Sequence, residues 1–492
     1  MPTRHCSRSA AFRQSTTLWR LANRALLLTT LLALPACATF SPDGGMSVPA
    51  DIAAQHLRKD VVAIRNDEDA SAARAKVDQL LKRTLNADSA VQIALLNNRG
   101  LQAAYNELGI AEAQRVQQSL PPTPSFSISR MTGAAEIEIE RQIAGNILAL
   151  LTLPARADIA AERFHRAQLT AALETLRVAA DARKAFYRAV AARQFVVLLE
   201  QASSASGTTA ELAKRMGESG AMNKLDQSRQ QLLHADLSTE LARARQRASA
   251  ERERLVRALG LSGNDLAFKI PAALPSLPNR APAMQAVEQQ ALDRRVDLKI
   301  ARSELDSLAK SYGLTKATRF INVLEGGYLD KATEERATGE HKHQSGFELT
   351  LQIPIFDFGE ARSREAEQTY MQAVNRLAQK AVNARSEARD AYRSYRSSYD
   401  VAARYQRDVL PLRKIISDEM MLRYGAMQVD VFTLLTDARQ KITANINAVE
   451  ALRDFWLAST DLQSSIIGGA GPASEQASAT TPAAAGDEAA GH

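Results

Sequence analysis

Four long segments without glycine or proline limit what this 492-residue chain can fold into. The segments cover residues 155–206, 221–259, 360–410 and 426–467. A helix of about 40 to 50 residues is roughly 60–75 Å long at 1.5 Å per residue, far longer than helices of ordinary globular domains. The low share of aromatic residues, 5%, is also typical of long helices. The sequence therefore predicts a mainly α-helical protein built on rods.

Apolar residues in these segments follow the spacing of a coiled coil. Steps of three and four alternate along the last segment, which gives the helix one apolar seam. The seam residues there are Leu435, Ala438, Ile442, Asn445, Val449, Leu452 and Trp456. We therefore expect the rods to pack side by side with their charged faces in water.

The two halves of the chain resemble each other. Ala94–Leu108 and Ala291–Leu305 share six of fifteen residues at an offset of 197, and each half continues with a strand pair and two long helices. The sequence thus predicts two structural repeats within the following organisation. We expect a signal peptide over 1–36, an N-terminal segment over 37–84, repeats over 85–262 and 283–467 with a linker over 263–282, and a disordered tail over 468–492.

The N-terminus has the pattern of a secretory signal. Residues 1–24 are basic, and the apolar run 25–36 is too short to span a bilayer but fits a signal peptide core. The run ends Leu34-Pro35-Ala36-Cys37, which resembles a bacterial lipobox and makes Cys37 the candidate lipidation site. A plain signal peptide with an incidental cysteine is the alternative. Ala38 follows the cysteine, and this favours transport to the outer membrane.

The net charge of +7 gives no reason to expect a nucleic acid partner. Five arginines and no acid lie within the first 36 residues. Without them, 57 basic residues stand against 55 acidic ones, so the mature chain lacks the electrostatic attraction that nucleic acid binding requires.

Four short segments switch to the alternating pattern of β-strands, at about 124–131, 135–142, 319–329 and 345–354. The last is the clearest. Polar Glu348, Thr350 and Gln352 alternate there with apolar residues of the other face. The predicted lipid-facing residues are Phe347, Leu349, Leu351 and Ile353. A small soluble sheet with one wet face fits the same residues, but the export signal favours strands in a membrane.

Four strands cannot close a membrane barrel alone, because the smallest such barrels have about eight. Unpaired backbone groups in lipid cost several kcal/mol each, so an open sheet edge is excluded there. If the strands enter a membrane, several copies of the chain must share one barrel, and the long helices would continue it as a tube.

The segment Asp330–Ser345 is charged and is expected to form a long, outward-facing loop. Its residues His341 and His343 could bind a metal ion, but no cysteine or spaced carboxylate set accompanies them. We therefore predict no metal site and no cofactor.

Several motifs together resemble the outer-membrane efflux protein family, of which TolC is the type member. The motifs follow the family's order over about residues 85–465. They are Ala94–Leu108 with Leu120–Pro124, Ile353–Gly359, Val409–Pro411, and Arg423–Gly425 through Leu434–Arg439. The strand-to-helix turn Ile353-Pro354-Ile355-Phe356-Asp357-Phe358-Gly359 is the most specific of them.

The resemblance implies a homotrimer with four β-strands per protomer in a shared 12-stranded outer-membrane barrel. The long helices would form a periplasmic α-barrel that docks on a periplasmic adaptor protein and an inner-membrane pump. The expected location is the outer membrane, with lipid contact, a lipid anchor and an extension into the periplasm. The expected function is the outer-membrane channel of a tripartite efflux system.

In the family, the tunnel closes at the helix-hairpin ends furthest from the barrel. The corresponding candidates are Gly220, Asp226, Gly425, Asp430 and Asp437. The two glycines would permit tight turns, and carboxylates at a constriction would favour cations. Helix-start acids that complement the helix dipole are the alternative. Met427 occupies the place of a family glycine, which leaves the geometry of this hairpin end open.

Other functional classes find less support. The chain has no Walker, HExxH or GxSxG motif and no cysteine nucleophile, so an enzyme is not expected. A periplasmic coiled-coil scaffold lipoprotein would explain the rods but not the strands. An exit duct of a type I protein secretion system remains an alternative within the channel class, since the cargo is not encoded in these motifs.

Overall fold

The structure, a computed structural model, describes residues 39–280 and 286–468. The predicted signal peptide, Cys37 and all but the first residue of the predicted tail lie outside the described residues. Helices dominate the described part of the chain, together with four strands, as predicted. The helices are α1 Ser47–Leu57, α2 Asp67–Leu81, α3 Ala87–Asn97, α4 Arg99–Ser119, α5 Ile147–Leu151, α6 Leu153–Glu218, α7 Lys224–Leu259, α8 Val287–Arg294, α9 Val296–Ala317, α10 Glu360–Arg404, α11 Leu410–Gly425 and α12 Val431–Ile467.

The longest helix, α6, has 66 residues, about 100 Å at 1.5 Å per residue. The sequence predicts a rod only to residue 206, because Gly207 follows. The helix continues, and a Cβ atom at Gly207 would lie 3.1 Å from Cε1 of His234 on α7. This glycine therefore permits close contact between two helices instead of ending one.

The sequence predicts that the helix of the third segment continues past Pro411 as one rod over 360–421, but the structure divides this rod. After α10, residues Tyr405–Val409 form one π-helical turn, and α11 begins with Pro411 in its first turn. Proline lacks the backbone N–H that an uninterrupted helix would use, so the ladder is rearranged just before it. Among the helices of the described ranges, none has both the length and the apolar character needed to cross a membrane.

The chain forms two compact units, and each combines parts of both sequence halves. Of the described residues, one unit consists of 39–45, 109–165 and 304–372, and the other of 46–108, 166–280, 286–303 and 373–468. The second unit contains the large helical core, where Tyr395 and Tyr399 of α10 contact Phe455 of α12. Tyr187 of α6 stacks on Trp456 with ring centroids 5.3 Å apart.

The offset of 197 between the halves corresponds to a repeated local arrangement in this second unit. Asn98 separates α3 from α4, and Arg295, 197 residues later, separates α8 from α9. The Asn98 amide donates to Ala258 O near the end of α7, and the Arg295 guanidinium donates to Ser465 O near the end of α12. The neutral Asn98 amide in the first half and the buried Arg295 guanidinium in the second half thus have the same role, which is to donate a hydrogen bond to a carbonyl near the end of a long helix.

The four strands form one antiparallel sheet in the order β1-β2-β3-β4. The strands are β1 Ser125–Thr132, β2 Glu136–Asn146, β3 Val323–Glu335 and β4 His341–Gln352. Pairing of β2 with β3 joins the two halves of the sequence, and β1 and β4 are the outer strands. The sheet lies entirely within the first unit.

The expected long loop Asp330–Ser345 is mostly strand, so this prediction is wrong. Both β3 and β4 extend into it, and only residues 336–340 connect them. His341 and His343 therefore lie on β4. Glu335 pairs with Glu136, so β2 supplies backbone partners that a charged sequence alone does not reveal.

Candidate functional site

The strand register places apolar side chains on one face of the sheet, here called the apolar face. Phe126, Ile143, Tyr328 and Phe347 form one continuous row across the four strands. The rings of Tyr328 and Phe347 meet edge-on, with centroids 5.5 Å apart. Phe347 is 91% exposed, and the other three side chains of the row are also largely open to solvent.

The predicted lipid-facing residues of β4 follow this row. Leu349 and Leu351 alternate with polar residues, so they share the apolar face with Phe347, and both are exposed. Ile353 is also exposed but lies one residue beyond the end of β4. The sequence missed Ile143, because β2 was expected to end at residue 142. The continuing alternation Arg141-Gln142-Ile143 was the available signal.

The opposite side, here called the polar face, carries mostly polar and charged residues, and several of them are glutamates. Glu136, Glu138 and Glu140 alternate along β2, and Lys331 of β3 forms an ion pair with Glu138. Gln142 Nε2 donates to Glu348 Oε2 of β4 at 2.7 Å. The two sides of the sheet thus differ sharply in polarity, as in a wall between lipid and water.

Near the β3–β4 connection, the apolar face also carries charged and polar side chains. Arg141 Nη1 lies 3.5 Å from Asp330 Oδ2, and His343 Nδ1 lies 3.2 Å from Asp330 Oδ1. Over residues 39–280 and 286–468, no group of three or more histidine, cysteine or acidic side chains has the arrangement to hold a metal ion. His343 thus lies in a polar cluster of three side chains from neighbouring strands.

Both outer strands have a neighbour on one side only. Among residues 39–280 and 286–468, β1 pairs with β2 alone and β4 pairs with β3 alone. All residues of both strands are exposed. Each outer strand therefore presents unpaired backbone groups that another strand can complete.

The motif Ile353–Gly359 forms the turn between β4 and α10, and the roles of its aspartate and glycine follow from the geometry of this turn. Asp357 lies three residues before α10, and its carboxylate accepts hydrogen bonds from the backbone N–H groups of Gly359 at 3.0 Å and Ala361 at 3.3 Å. These bonds hold the pKa of Asp357 below its ordinary value. Gly359 has φ +71°, and a Cβ atom there would lie 2.2 Å from Arg319 O, so only glycine fits.

The first helix-hairpin end lies between α6 and α7. Gly220 has φ +77° and permits the turn, as expected. Asn223 begins α7, and its side chain accepts from the N–H of Asp226 at 2.8 Å and donates to the Asp226 carboxylate at 2.6 Å. Arg229 lies 3.2 Å from the same carboxylate. Asp226 therefore belongs to a helix start.

The second hairpin end, between α11 and α12, differs from the expectation. Gly425 is the last residue of α11 and is not left-handed, whereas Met427 has φ +59°. Asp430 precedes α12, and its carboxylate accepts from Thr433 N at 3.0 Å. Hydrogen bonds from the Thr433 hydroxyl and N–H, with a smaller effect of Arg229, lower the pKa of Asp430.

Asp437 is unlike the other two aspartates. It is buried, and its carboxylate lies 3.8 Å from Arg413 Nη1 of α11. Arg229 forms an ion pair with Asp226 and acts electrostatically on Asp430. Asp437 instead lies between α11 and α12, where its neighbour is Arg413. Within one chain, the three carboxylates thus have structural partners and do not form one cluster.

A polypeptide with these paired helices and this sheet has the fold of outer-membrane channels. It is similar to CusC, with 17% identity and a TM-score of 0.65, over 80% of this chain and 92% of that chain. It is also similar to the Neisseria gonorrhoeae MtrE outer membrane channel, with 16% identity and a TM-score of 0.64, over 79% of this chain and 89% of that chain.

Sequence comparisons give two further similarities. The family model of the outer membrane efflux protein matches residues 287–415, and this confirms the resemblance that the motifs indicate. The chain is also similar to the cobalt-zinc-cadmium resistance protein CzcC of Cupriavidus metallidurans. They are 23% identical over 283 residues, which is 56% of this chain and 64% of that protein.

Proposed function

We propose that this chain is the outer-membrane channel component of a tripartite efflux system. The observation that carries the proposal is the exposed apolar row Phe126–Ile143–Tyr328–Phe347 opposite a mainly polar face with several glutamates. Burial of such a row in lipid is favourable, since exposed apolar area in water costs roughly 25 cal/mol per Å². The polar face would then line the water-filled lumen.

The two unpaired outer strands support a shared barrel. Pairing of β4 in one copy with β1 in the next satisfies the backbone groups of both edges without any change in the other strands. Three copies would supply twelve strands, in agreement with the homotrimer that the family resemblance implies. The long helices would continue this barrel as the periplasmic tunnel.

The partners follow from the same proposal. A tunnel that ends in the periplasm needs a periplasmic adaptor and an inner-membrane pump to deliver cargo. The hairpin ends at Gly220 and Met427 are the proposed contact and closure region, with Asp226 and Asp430 nearest to the turns. Because these carboxylates already have partners, we expect them to fix the local helix starts and only secondarily to affect ion flow.

Cys37 is the proposed acylation site and would anchor each chain to the outer membrane. For the cargo, divalent metal cations are the substrate class that the name of the CzcC relative favours. Carboxylates along the polar face are compatible with such cations.

Conductance in planar lipid bilayers tests the channel. We expect the purified mature protein to insert and to produce discrete conductance steps. Insertion without any conductance, or a protein that never associates with detergent or lipid, would overturn the proposal.

A further inference from the structure

One side of helix α10 carries a row of five arginines, here called the arginine stripe. Its members are Arg385, Arg389, Arg393, Arg396 and Arg404. Steps of three, four and eight residues keep them on the same side of the helix. Four of them are exposed, and Arg396 is half-buried. At 1.5 Å per residue, the stripe is about 28 Å long.

Most of the stripe has no partner within the chain. Arg389 Nη1 lies 3.3 Å from Glu288 Oε1 of α8, and both side chains are half exposed. Among residues 39–280 and 286–468, the other four arginines have neither a hydrogen bond nor an ion pair. Glu387 of the same helix already pairs with Arg295 Nη1 at 2.6 Å. Only Asp390 and Asp400 remain in this part of α10, so the positive charge of the stripe is in excess.

The surrounding helical unit has the same sign of charge. Over 46–108, 166–280, 286–303 and 373–468 it has 44 arginines and lysines against 33 aspartates and glutamates. Exposed charges act over about 10 Å at 0.1 M salt, so a stripe on such a surface attracts anionic groups. Arginine also binds a carboxylate with two parallel hydrogen bonds, which makes acidic side chains well suited to this surface.

Two open grooves beside the stripe add apolar contacts to this charge. The first, of about 460 Å³, lies between α8 and α10 and is lined by Val287 and Leu292. The second, of similar volume, continues along α10 and is lined by Val401. Tyr392 and Arg393 line both grooves. A partner that fills them needs apolar groups between its acids, and an amphipathic helix meets this requirement better than an anionic polysaccharide does.

We propose that the arginine stripe and its two grooves bind an acidic amphipathic helix of a partner protein. Carboxylates three and four residues apart on that helix would face the arginines, and small apolar side chains between them would contact Tyr392 and Val401. The stripe ends before the π-helical turn Tyr405–Val409, so this surface is separate from the hairpin ends. The inference goes beyond the proposed function and does not require that the chain form a channel.

Fluorescence anisotropy with a designed peptide tests the docking surface. The probe is a labelled helical peptide of about 20 residues, the length of the stripe, with glutamates at the spacing of the arginines and alanine or leucine between them. A second peptide has the same composition, but its glutamates are distributed around the helix. With the purified full-length mature protein in detergent, we expect the patterned peptide to bind about tenfold more tightly, and added salt to weaken its binding. Equal affinity for the two peptides would overturn the proposal.

Arg393→Glu tests the stripe itself, because Arg393 lines both grooves. We expect about tenfold weaker binding of the patterned peptide, and recovery with a peptide whose central glutamates are lysines. This recovery would not occur if the variant were merely misfolded. Arg376→Glu is the matched control, since Arg376 is an exposed arginine on the opposite side of the same helix and should change the affinity less than about twofold.

Unchanged affinity in Arg393→Glu, or equal weakening in Arg393→Glu and Arg376→Glu, would overturn the docking surface. Heparin serves as a polyanion without a helix. We expect it to compete poorly with the patterned peptide. If heparin bound as tightly as the peptide and lost affinity equally in Arg393→Glu, the surface would bind polyanions in general, and the proposed helix would be wrong.

Discussion

Replacement of Leu349 by arginine places a charge in the middle of the proposed lipid-facing surface. Leu349 is 67% exposed, and its partner across the ladder is Gly326, which has no side chain to cover it. Neighbours on the same face, Phe347 and Leu351, are apolar and cannot pair with a guanidinium. Arginine near the bilayer midplane costs about 2–4 kcal/mol per chain, hence roughly 6–12 kcal/mol for three chains that share one barrel.

Thr350→Arg is the matched control. Thr350 is the next residue of β4, lies on the polar face and pairs with Glu325 of β3, which can accept the new charge. The assay is heat-modifiable migration on gels together with bilayer conductance. We expect Leu349→Arg to abolish the heat-resistant oligomer and the conductance, and Thr350→Arg to retain both. Normal oligomers of Leu349→Arg, or equal failure of Thr350→Arg, would refute the assignment of the two faces.

Three further substitutions test local features. Gly359→Ala should prevent assembly, because a left-handed alanine costs about 1–2 kcal/mol and its Cβ would meet Arg319 O; near-normal yield and oligomer content would contradict this. Met427→Gly should stabilise the second hairpin end by about 0.5–1 kcal/mol, read as a higher melting temperature in circular dichroism; an unchanged or lower value would argue against strain at this residue. The pKa of Asp430 is lowered, so its contribution to stability is complete above the carboxyl pKa of the unfolded chain and is lost as pH falls through the folded value. Asp430→Ala should therefore lower the melting temperature at pH 7 and match the wild type at strongly acidic pH, and a deficit that persists in acid would refute this cause.

Local patterns predict much of this fold. The alternation from Gly346 to Ile353 identifies β4 and its two faces because side chains on a strand alternate strictly. The absence of glycine and proline identifies the rods, since no residue in those segments breaks a helix. The turn at Gly359 is readable because its aspartate and glycine have roles fixed by local backbone geometry.

Features that depend on distant partners are not predictable in this way. The charged residues after Asp330 form strand only because β2 and β4 lie beside them, and Gly207 continues a helix because His234 lies against it. Met427 adopts the left-handed conformation that favours glycine, although the residue type argues against it. The Ser41 N–H donates to Glu112 Oε1, 71 positions away, and no local pattern marks this contact.

The number of chains in the assembly tests the central claim most directly. Native mass spectrometry of the mature protein, released from detergent micelles, measures this number. If outer strands complete one another between copies, and three copies share the barrel as the family resemblance implies, the dominant species has the mass of three chains. A protein that is monomeric at every concentration in detergent would leave β1 and β4 unpaired, and would contradict the account.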